Sequence, residues 1–393
     1  MNKRSVRDLD VRDKRVLVRV DFNVPIKDGQ VTDDTRVRRA LPTIRHLLSE
    51  RGRPILISHL GRPKGEPDKE YAIDPVAKRL EELLGEPVLK LDAAVGPEVE
   101  EELDDWDGRG VVLLENSRFY PGETKNDPEF SEQLASLADL YVNDAFGAAH
   151  RAHATTVGVA QRLPAATGLL LEEEVKYLDG VLKDPERPFV AILGGAKVSD
   201  KLGVIESLLE VADTLLIGGA MCFTFFKAQG YEVGNSLVED GYLEEARRLL
   251  EEPGDTLLVL PVDVVVADRM EEEADSKVVG VDGIPSGTMG LDIGPRTVEL
   301  FEERILGAKT IFWNGPMGVF EIDAFAEGTE GVARAVAESG ATSVIGGGDS
   351  VAAVRKLGLE GRMSHISTGG GASLEYVEGK ELPGVAVLPE KGA

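Results

Sequence analysis

Short runs of aliphatic and β-branched residues recur along the chain. Each ends in glycine or polar residues before a stretch with helical spacing. In the first half they are RVLVRVDFN (15–23), PILISHLG (54–61), VVLLENSRF (111–119) and LYVNDAFG (140–147). In the second half they are FVAILGGAK (189–197), DTLLIGG (213–219), TLLVLPVDVVV (256–266), TIFWNGPMG (310–318) and TSVIGGGDS (342–350). Continuous apolar runs of this kind suit strands buried on both faces of a parallel sheet. Between them, Leu41, Ile44, Leu47 and Leu48 of ALPTIRHLLSER (40–51) make one helical stripe. Strand alternating with helix over the whole length predicts an α/β, doubly wound architecture. No fixed-period repeat is visible, which argues against a solenoid.

A boundary falls near LLLEEEVKYLDGVLKDPERP (169–188). There Leu171, Val175, Leu178 and Leu182 form a stripe, ended by Pro185 and Pro188. Residues 169–183 are expected to form a connecting helix between an N-terminal lobe, 1–168, and a C-terminal lobe from residue 184. Glu172 to Glu174 read as a solvated first turn favoured by the helix dipole, not as paired catalytic carboxylates. The acidic runs at 98–107 and 271–275 read the same way.

Composition narrows the function classes. The 393 residues carry 44 Lys+Arg against 70 Asp+Glu, a formal charge of −26. That argues against nucleic acid or an anionic membrane surface as partner, since both need a basic face. It leaves room for small anions held by a few clustered cations. The lone cysteine, Cys222, lies in an apolar run, so no disulfide forms within the chain and a buried thiol is expected. No apolar run reaches a membrane-spanning length and MNKRSVRDLDVRD lacks a signal-peptide core, so a soluble, cytoplasmic protein is expected.

In open α/β sheets ligands bind beyond the carboxyl ends of the strands. In the first half those ends offer Asp21, Asn23, His59, Arg62, Arg118 and Arg151, with Arg36 close by in sequence. Arginine forks match carboxylate and phosphate, so this set suits a small, multiply charged acid. In the second half the strand ends are mostly glycine: Gly194–Gly195–Ala196–Lys197, Gly218–Gly219, Gly315, and Gly346 to Gly348 before Asp349. Glycine turns leading into helix N-termini suit a polyphosphate held by backbone N–H groups. The inference is one anionic substrate facing one nucleotide across a cleft. His150 and His153 lack a third ligand nearby in sequence, which disfavours zinc. His46 falls on the polar side of a helix, and His365 reads as structural. The common P-loop, GxGxxG, HExxH and GxSxG signatures are missing. The missing GxGxxG counts against the alternative of a two-lobe NAD-dependent dehydrogenase. The missing export signal counts against a solute-binding protein. A noncatalytic interaction role would leave the strand-end cations without a purpose.

Ten ordered stretches carry a resemblance: RVDFNVP (19–25), ISHLGRP (57–63), RFYPGE (118–123), VNDAFGAAHRAHAT (142–155), ILGGAKVSDK (192–201), IGGAMCFTF (217–225), MGLDIGP (289–295), FWNGPMGVFE (312–321), GGGDS (346–350) and STGGGASLE (367–375). From end to end the chain resembles the phosphoglycerate kinase family. Thr288 stands where the family usually has tryptophan, beside the nucleotide site, and Ser117 where valine is common. The resemblance implies reversible phosphoryl transfer from 1,3-bisphosphoglycerate to Mg-ADP, giving 3-phosphoglycerate and ATP in glycolysis. It also implies a monomer with two Rossmann-like lobes, 1–168 and 184–373, which close about the hinge helix 169–183. The tail, 374–393, is implied to return to the N-terminal lobe.

By motif match, Asp21, Asn23, Arg36, His59, Arg62, Arg118 and Arg151 would hold the triose. Lys197, Lys201, Gly219, Gly290, Asn314, Glu321, Gly347, Gly348, Asp349 and Ser350 would line the nucleotide site, with Asp349 on the magnesium and Glu321 on the ribose. Because the attacking carboxylate is already ionised at neutral pH, no general base is needed. The work left is alignment and charge neutralisation, assigned to Arg36, Lys197, magnesium and the N–H groups of Gly370 and Gly371. His59 is then an anion anchor, not an acid–base group. Cations drawn from both halves would repel one another when empty, so binding of both anions is expected to close the lobes.

Overall fold

The computed structural model describes residues 2–392. The chain divides into two compact units, one running through Lys176 and resumed from Glu381 onward, the other Tyr177–Lys380. The divisions fall inside the helix Leu169–Leu182 and again after Lys380, not at residues 168 and 373. The helix Gly371–Val377 stays with the second unit, where the Tyr376 hydroxyl donates to Asp179 at 2.6 Å and the Val377 carbonyl accepts from Ser207 Oγ at 2.5 Å.

The first unit is built on a six-stranded parallel sheet. Its strands are β1 (Arg15–Arg19), β4 (Arg53–Ile57), β5 (Val88–Lys90), β6 (Val111–Leu113), β7 (Leu140–Asn143) and β8 (Ala165–Thr167), in the order β5-β6-β4-β1-β7-β8. A small hairpin, β2 (Ile26–Lys27) and β3 (Gln30–Val31), follows the first strand. Val16, Val18, Leu56, Leu113 and Val142 face helices Thr35–Ser49 and Asp74–Leu84, meeting Val37, Ile44, Leu47, Val76 and Leu80. Burying a side chain of this size contributes roughly 1.5–3 kcal/mol. The predicted stripe at 41–48 is therefore core, although Pro42 sits inside its helix. The tail is fastened to the start of the chain: Lys3 Nζ donates to the Ala386 and Leu388 carbonyls at 3.2 and 2.7 Å.

In the second unit a parallel sheet runs β11 (Leu257–Val259), β10 (Thr214–Ile217), β9 (Phe189–Leu193), β15 (Thr310–Asn314), β16 (Thr342–Gly346), β17 (His365–Ile366) in that spatial order. Beside it stands an antiparallel sheet of β12 (Asp263–Ala267) between β13 (Ser276–Gly280) and β14 (Met289–Ile293). The run 256–266, which reads as one strand, is thus two strands in two sheets. Pro261 cannot donate to a ladder, and Val262 N and Asp263 N instead donate to Thr297 Oγ1 at 3.0 and 3.1 Å. The chain turns there, leaving the parallel sheet before it enters the antiparallel one.

The acidic turn at 172–174 is not simply solvated. Glu172 accepts from Arg7 at 2.7 Å, Glu173 from Arg39 at 3.1 Å, and Glu174 is fully buried.

Candidate active site

In the first unit the carboxyl ends of β1, β4, β6 and β7 gather the predicted anion residues. Arg36, on the first turn of its helix, donates through Nη1 to the Asn23 carbonyl at 2.9 Å and to Asp21 Oδ1 at 3.3 Å. Asn23 Oδ1 in turn accepts from Gly61 N at 2.9 Å, and the Gly61 carbonyl from Arg118 Nη1 at 3.3 Å. A chain of contacts therefore runs from Asp21 to Arg118 through four segments distant in sequence. Arg62 and Arg151 lie near enough for their charges to act on Arg118.

One member is absent from the sequence expectation. Arg19, the last residue of β1 and 1% exposed, donates through Nη1 to the Val20 carbonyl at 2.6 Å and places Nη2 3.0 Å from His59 Nδ1. Guanidinium has no acceptor atom, so His59 Nδ1 accepts and the ring proton sits on Nε2. The available signal was its place at the carboxyl end of a strand, directly after the apolar run Val16–Val18, where ligand-binding groups gather.

The electrostatics are those of a cationic nest. Burial, then the charges of Arg19, Arg118 and Arg36, push His59 well below the ordinary histidine range. Burial, then Arg19, Arg118 and Arg151, bring His153 down to about 4. Arg118 is itself lowered by burial and by Arg151 and Arg19, and its buried Nε has no partner. His59 is therefore a neutral donor, not a cation. His153 belongs to this nest, since the charges of Arg19, Arg118 and Arg151 act on it as well. As pH falls from 6.5 toward 4 the unfolded chain takes up a proton that folded His153 refuses, so this group erodes stability over that window and costs nothing above it. His153→Gln is accordingly expected to lose less Tm than the parent between about pH 7 and about pH 4.5, by thermal melts. Parallel curves would place the low histidine elsewhere.

The second unit holds a cavity of about 420 Å³. Phe223, Leu237, Met289, Leu291, Met317 and Val319 give it an apolar wall, while Gly195, Gly219, Glu321 and Asp349 border it. Gly219 has φ +68°, and a Cβ there would run into the Gly195 backbone. At Gly290 a Cβ would overlap the Phe223 ring, so the strand lies directly on that wall. Lys201 Nζ bonds Asn314 Oδ1, whose Nδ2 is buried and without a partner. Burial lowers the Lys201 ammonium, while Asp200 and Asp349 oppose that. Gly347 stands against the Asn314 amide, and Gly348 opens the helix that carries Asp349 and Ser350. Ser350 Oγ accepts from Gly315 N at 2.6 Å.

Four of the predicted nucleotide residues border the cavity: Gly219, Gly290, Glu321 and Asp349. Lys201, Asn314, Gly347, Gly348 and Ser350 make the shell behind its Asp349 end. Lys197 is exposed on the loop after β9, and Gly370, at φ +52°, caps the helix that begins at Gly371. The apolar wall from Phe223, Leu237 and Met289 lies outside the sequence expectation, because strand-end reasoning finds polar groups and glycines but no hydrophobic face. Thr288 does not line the cavity. Its hydroxyl donates to the Pro285 carbonyl at 2.9 Å, and its carbonyl accepts from Asn235 N at 2.7 Å. Ser117 is buried, its hydroxyl 3.4 Å from Glu123 Oε1. His365 stacks on Tyr177 at 4.5 Å, a packing role. Cys222 is buried against the same cavity, and burial raises its thiol.

The family model described as phosphoglycerate kinase matches residues 6–380. A protein of that name from Rubrobacter xylanophilus is 78% identical over 391 residues, covering 100% of this chain and 99% of its own. The solved structure of phosphoglycerate kinase from Coxiella burnetii has a TM-score of 0.89 at 42% identity, with 98% of each chain covered. That of phosphoglycerate kinase from Pyrococcus horikoshii has 0.85 at 34%, again with 98% of each covered.

Proposed function

This chain belongs to the phosphoglycerate kinase family, and on that premise we propose that its first unit holds the triose acid and its second unit the nucleotide. The reaction is reversible phosphoryl transfer between 1,3-bisphosphoglycerate and Mg-ADP, giving 3-phosphoglycerate and ATP. The dehydrogenase alternative finds no support.

The observation that carries the division of substrates is the contrast between the two sites. The first presents Arg19, Arg36, Arg62, Arg118 and Arg151, with a buried Arg118 Nε lacking a partner. Such a nest fits the phosphate and carboxylate of a three-carbon acid, with His59 adding a neutral Nε2–H donor. The second presents an apolar wall for a base and a glycine-lined end for phosphates, with Glu321 on the ribose. The partnerless Asn314 Nδ2 fits a phosphate oxygen, and Asp349 supplies a hard carboxylate oxygen suited to magnesium alongside those phosphates. When bound, the magnesium ion neutralises phosphate charge.

In the ATP-consuming direction a carboxylate oxygen of 3-phosphoglycerate forms a bond to the γ-phosphorus as the bond to the β,γ-bridging oxygen breaks. ADP leaves and no proton has to move. The chain's part is to bring the two anions into line and to oppose the charge on the equatorial oxygens. We assign that part to Arg36, Lys197 and the N–H groups of Gly370 and Gly371.

No helix among the described residues is long and apolar enough to cross a membrane. The family premise supports action as a monomer in the cytoplasm, on small molecules.

The test is a coupled assay: 3-phosphoglycerate and ATP with the purified protein, the acyl phosphate being reduced by an added NADH-dependent dehydrogenase. NADH consumption is expected with magnesium and is expected to stop on chelation. Both ligands binding without turnover would overturn the assignment.

A further inference from the structure

Lys197 depends for its position on a loop with little of its own to hold it. Residues 194–201 leave β9 and enter the helix Leu202–Val211, and Ala196 and Lys197 are exposed. The start of the loop is fixed through its backbone: Gly195 N donates to the Pro316 carbonyl at 3.0 Å and the Gly195 carbonyl accepts from Met221 N at 3.1 Å. The far end is fixed by Lys201 on Asn314. The turn directly after Lys197 is gripped by a carboxylate from another segment. Glu239 Oε1 accepts from Ser199 Oγ at 2.6 Å and Oε2 from Ser199 N at 3.0 Å.

Glu239 is itself fixed. Its backbone N donates to Thr224 Oγ1 at 3.1 Å, on the helix Cys222–Ala228, whose Cys222 and Phe223 form part of the nucleotide cavity wall. Asn235 and Leu237, on the segment leading to Glu239, border the same cavity. One short stretch of chain therefore contributes to the cavity wall and clasps the lysine loop. Burial would raise the Glu239 carboxyl, but the Ser199 hydrogen bonds and the nearby charge of Lys197 hold it below the ordinary range. It is thus ionised, with both oxygens engaged by the loop.

We propose that Glu239 is a positioning residue for the reaction, clamping the 198–199 turn so that the Lys197 ammonium is held where the transferred phosphoryl group passes. This rests on the reading of Lys197 given above. Substrate affinity on the first unit would not depend on the clamp. The rate of the chemical step would, because a shift of about 1 Å in a charged group can cost on the order of a hundredfold.

A double-mutant cycle decides it, reading kcat, both KM values and Tm for the parent, Glu239→Gln, Lys197→Ala and the pair. Gln keeps the shape but can accept at only one of its two positions. Alone it is expected to lower kcat by about tenfold, leaving KM for 3-phosphoglycerate unchanged. In the Lys197→Ala background it is expected to cost less than about twofold, since coupled residues are not additive. An equal loss in both backgrounds would mean a general structural role and overturn the clamp, as would a kcat for Glu239→Gln within about twofold of the parent. Should Lys197→Ala itself leave kcat intact, the reading of Lys197 fails and the clamp with it. A collapse in Lys197→Ala beside a normal Glu239→Gln overturns the clamp alone.

Discussion

Lys197→Ala is expected to lower kcat by about 10²–10³-fold, while KM for Mg-ATP changes far less. The size follows from what one preorganised charge or donor contributes when negative charge spreads in a transition state. Lys197 is exposed on its loop, apart from the residues that border the cavity, which fits a group expected to act mainly in the transition state. Lys201, by contrast, is partly buried and bonded to Asn314. An interaction made mainly in the transition state appears in kcat, whereas uniform binding appears in KM. Steady-state kinetics in both directions check this. A variant that loses affinity for nucleotide and keeps kcat would make Lys197 an anchor.

Arg118→Lys is expected to raise KM for 3-phosphoglycerate by about ten- to a hundredfold, with KM for Mg-ATP unchanged. A hydrogen bond to a charged group is worth roughly 1.5–3 kcal/mol, and lysine cannot reproduce a planar fork. Arg118 uses Nη1 on the Gly61 carbonyl, yet its buried Nε has no partner. A buried donor in that state is costly unless a ligand completes it. Burial and the repulsion of Arg151 and Arg19 weaken the hold on its proton, and a bound dianion would relieve that repulsion. Initial rates over a matrix of both substrates separate the two KM values. Equal rises in both would point to damage beyond the triose site.

Much of this was legible in the chain. Asp21, Asn23, Arg36, His59, Arg62, Arg118 and Arg151 stand at or near strand ends, and a parallel sheet converges its strand ends wherever the helices return the chain to the same edge. The glycines of the second unit were legible for the same reason. Arg19, which closes β1, was not, because its burial and its partner His59, just after β4, are set by the fold and not by the local sequence. Glu239 carries no local signal either. It is one acid among many in an acidic chain, distinguished only by Ser199, 40 residues away. The run 256–266 misled because hydrophobicity persists through Pro261 while the backbone changes sheet there.

The sequence by itself determined the alternation of strand and helix, the buried strands, the ionic character of the first site and the glycine turns of the second. These follow from side-chain period, backbone freedom and charge, all local along the chain. The tertiary structure alone decided which partners meet: the tautomer of His59, the neutrality of His153 beside it in the nest, the partnerless donors of Arg118 and Asn314, and the apolar cavity wall. Those depend on burial and on charges from distant segments, and neither desolvation nor a Coulomb interaction across space is a property of any one stretch of sequence.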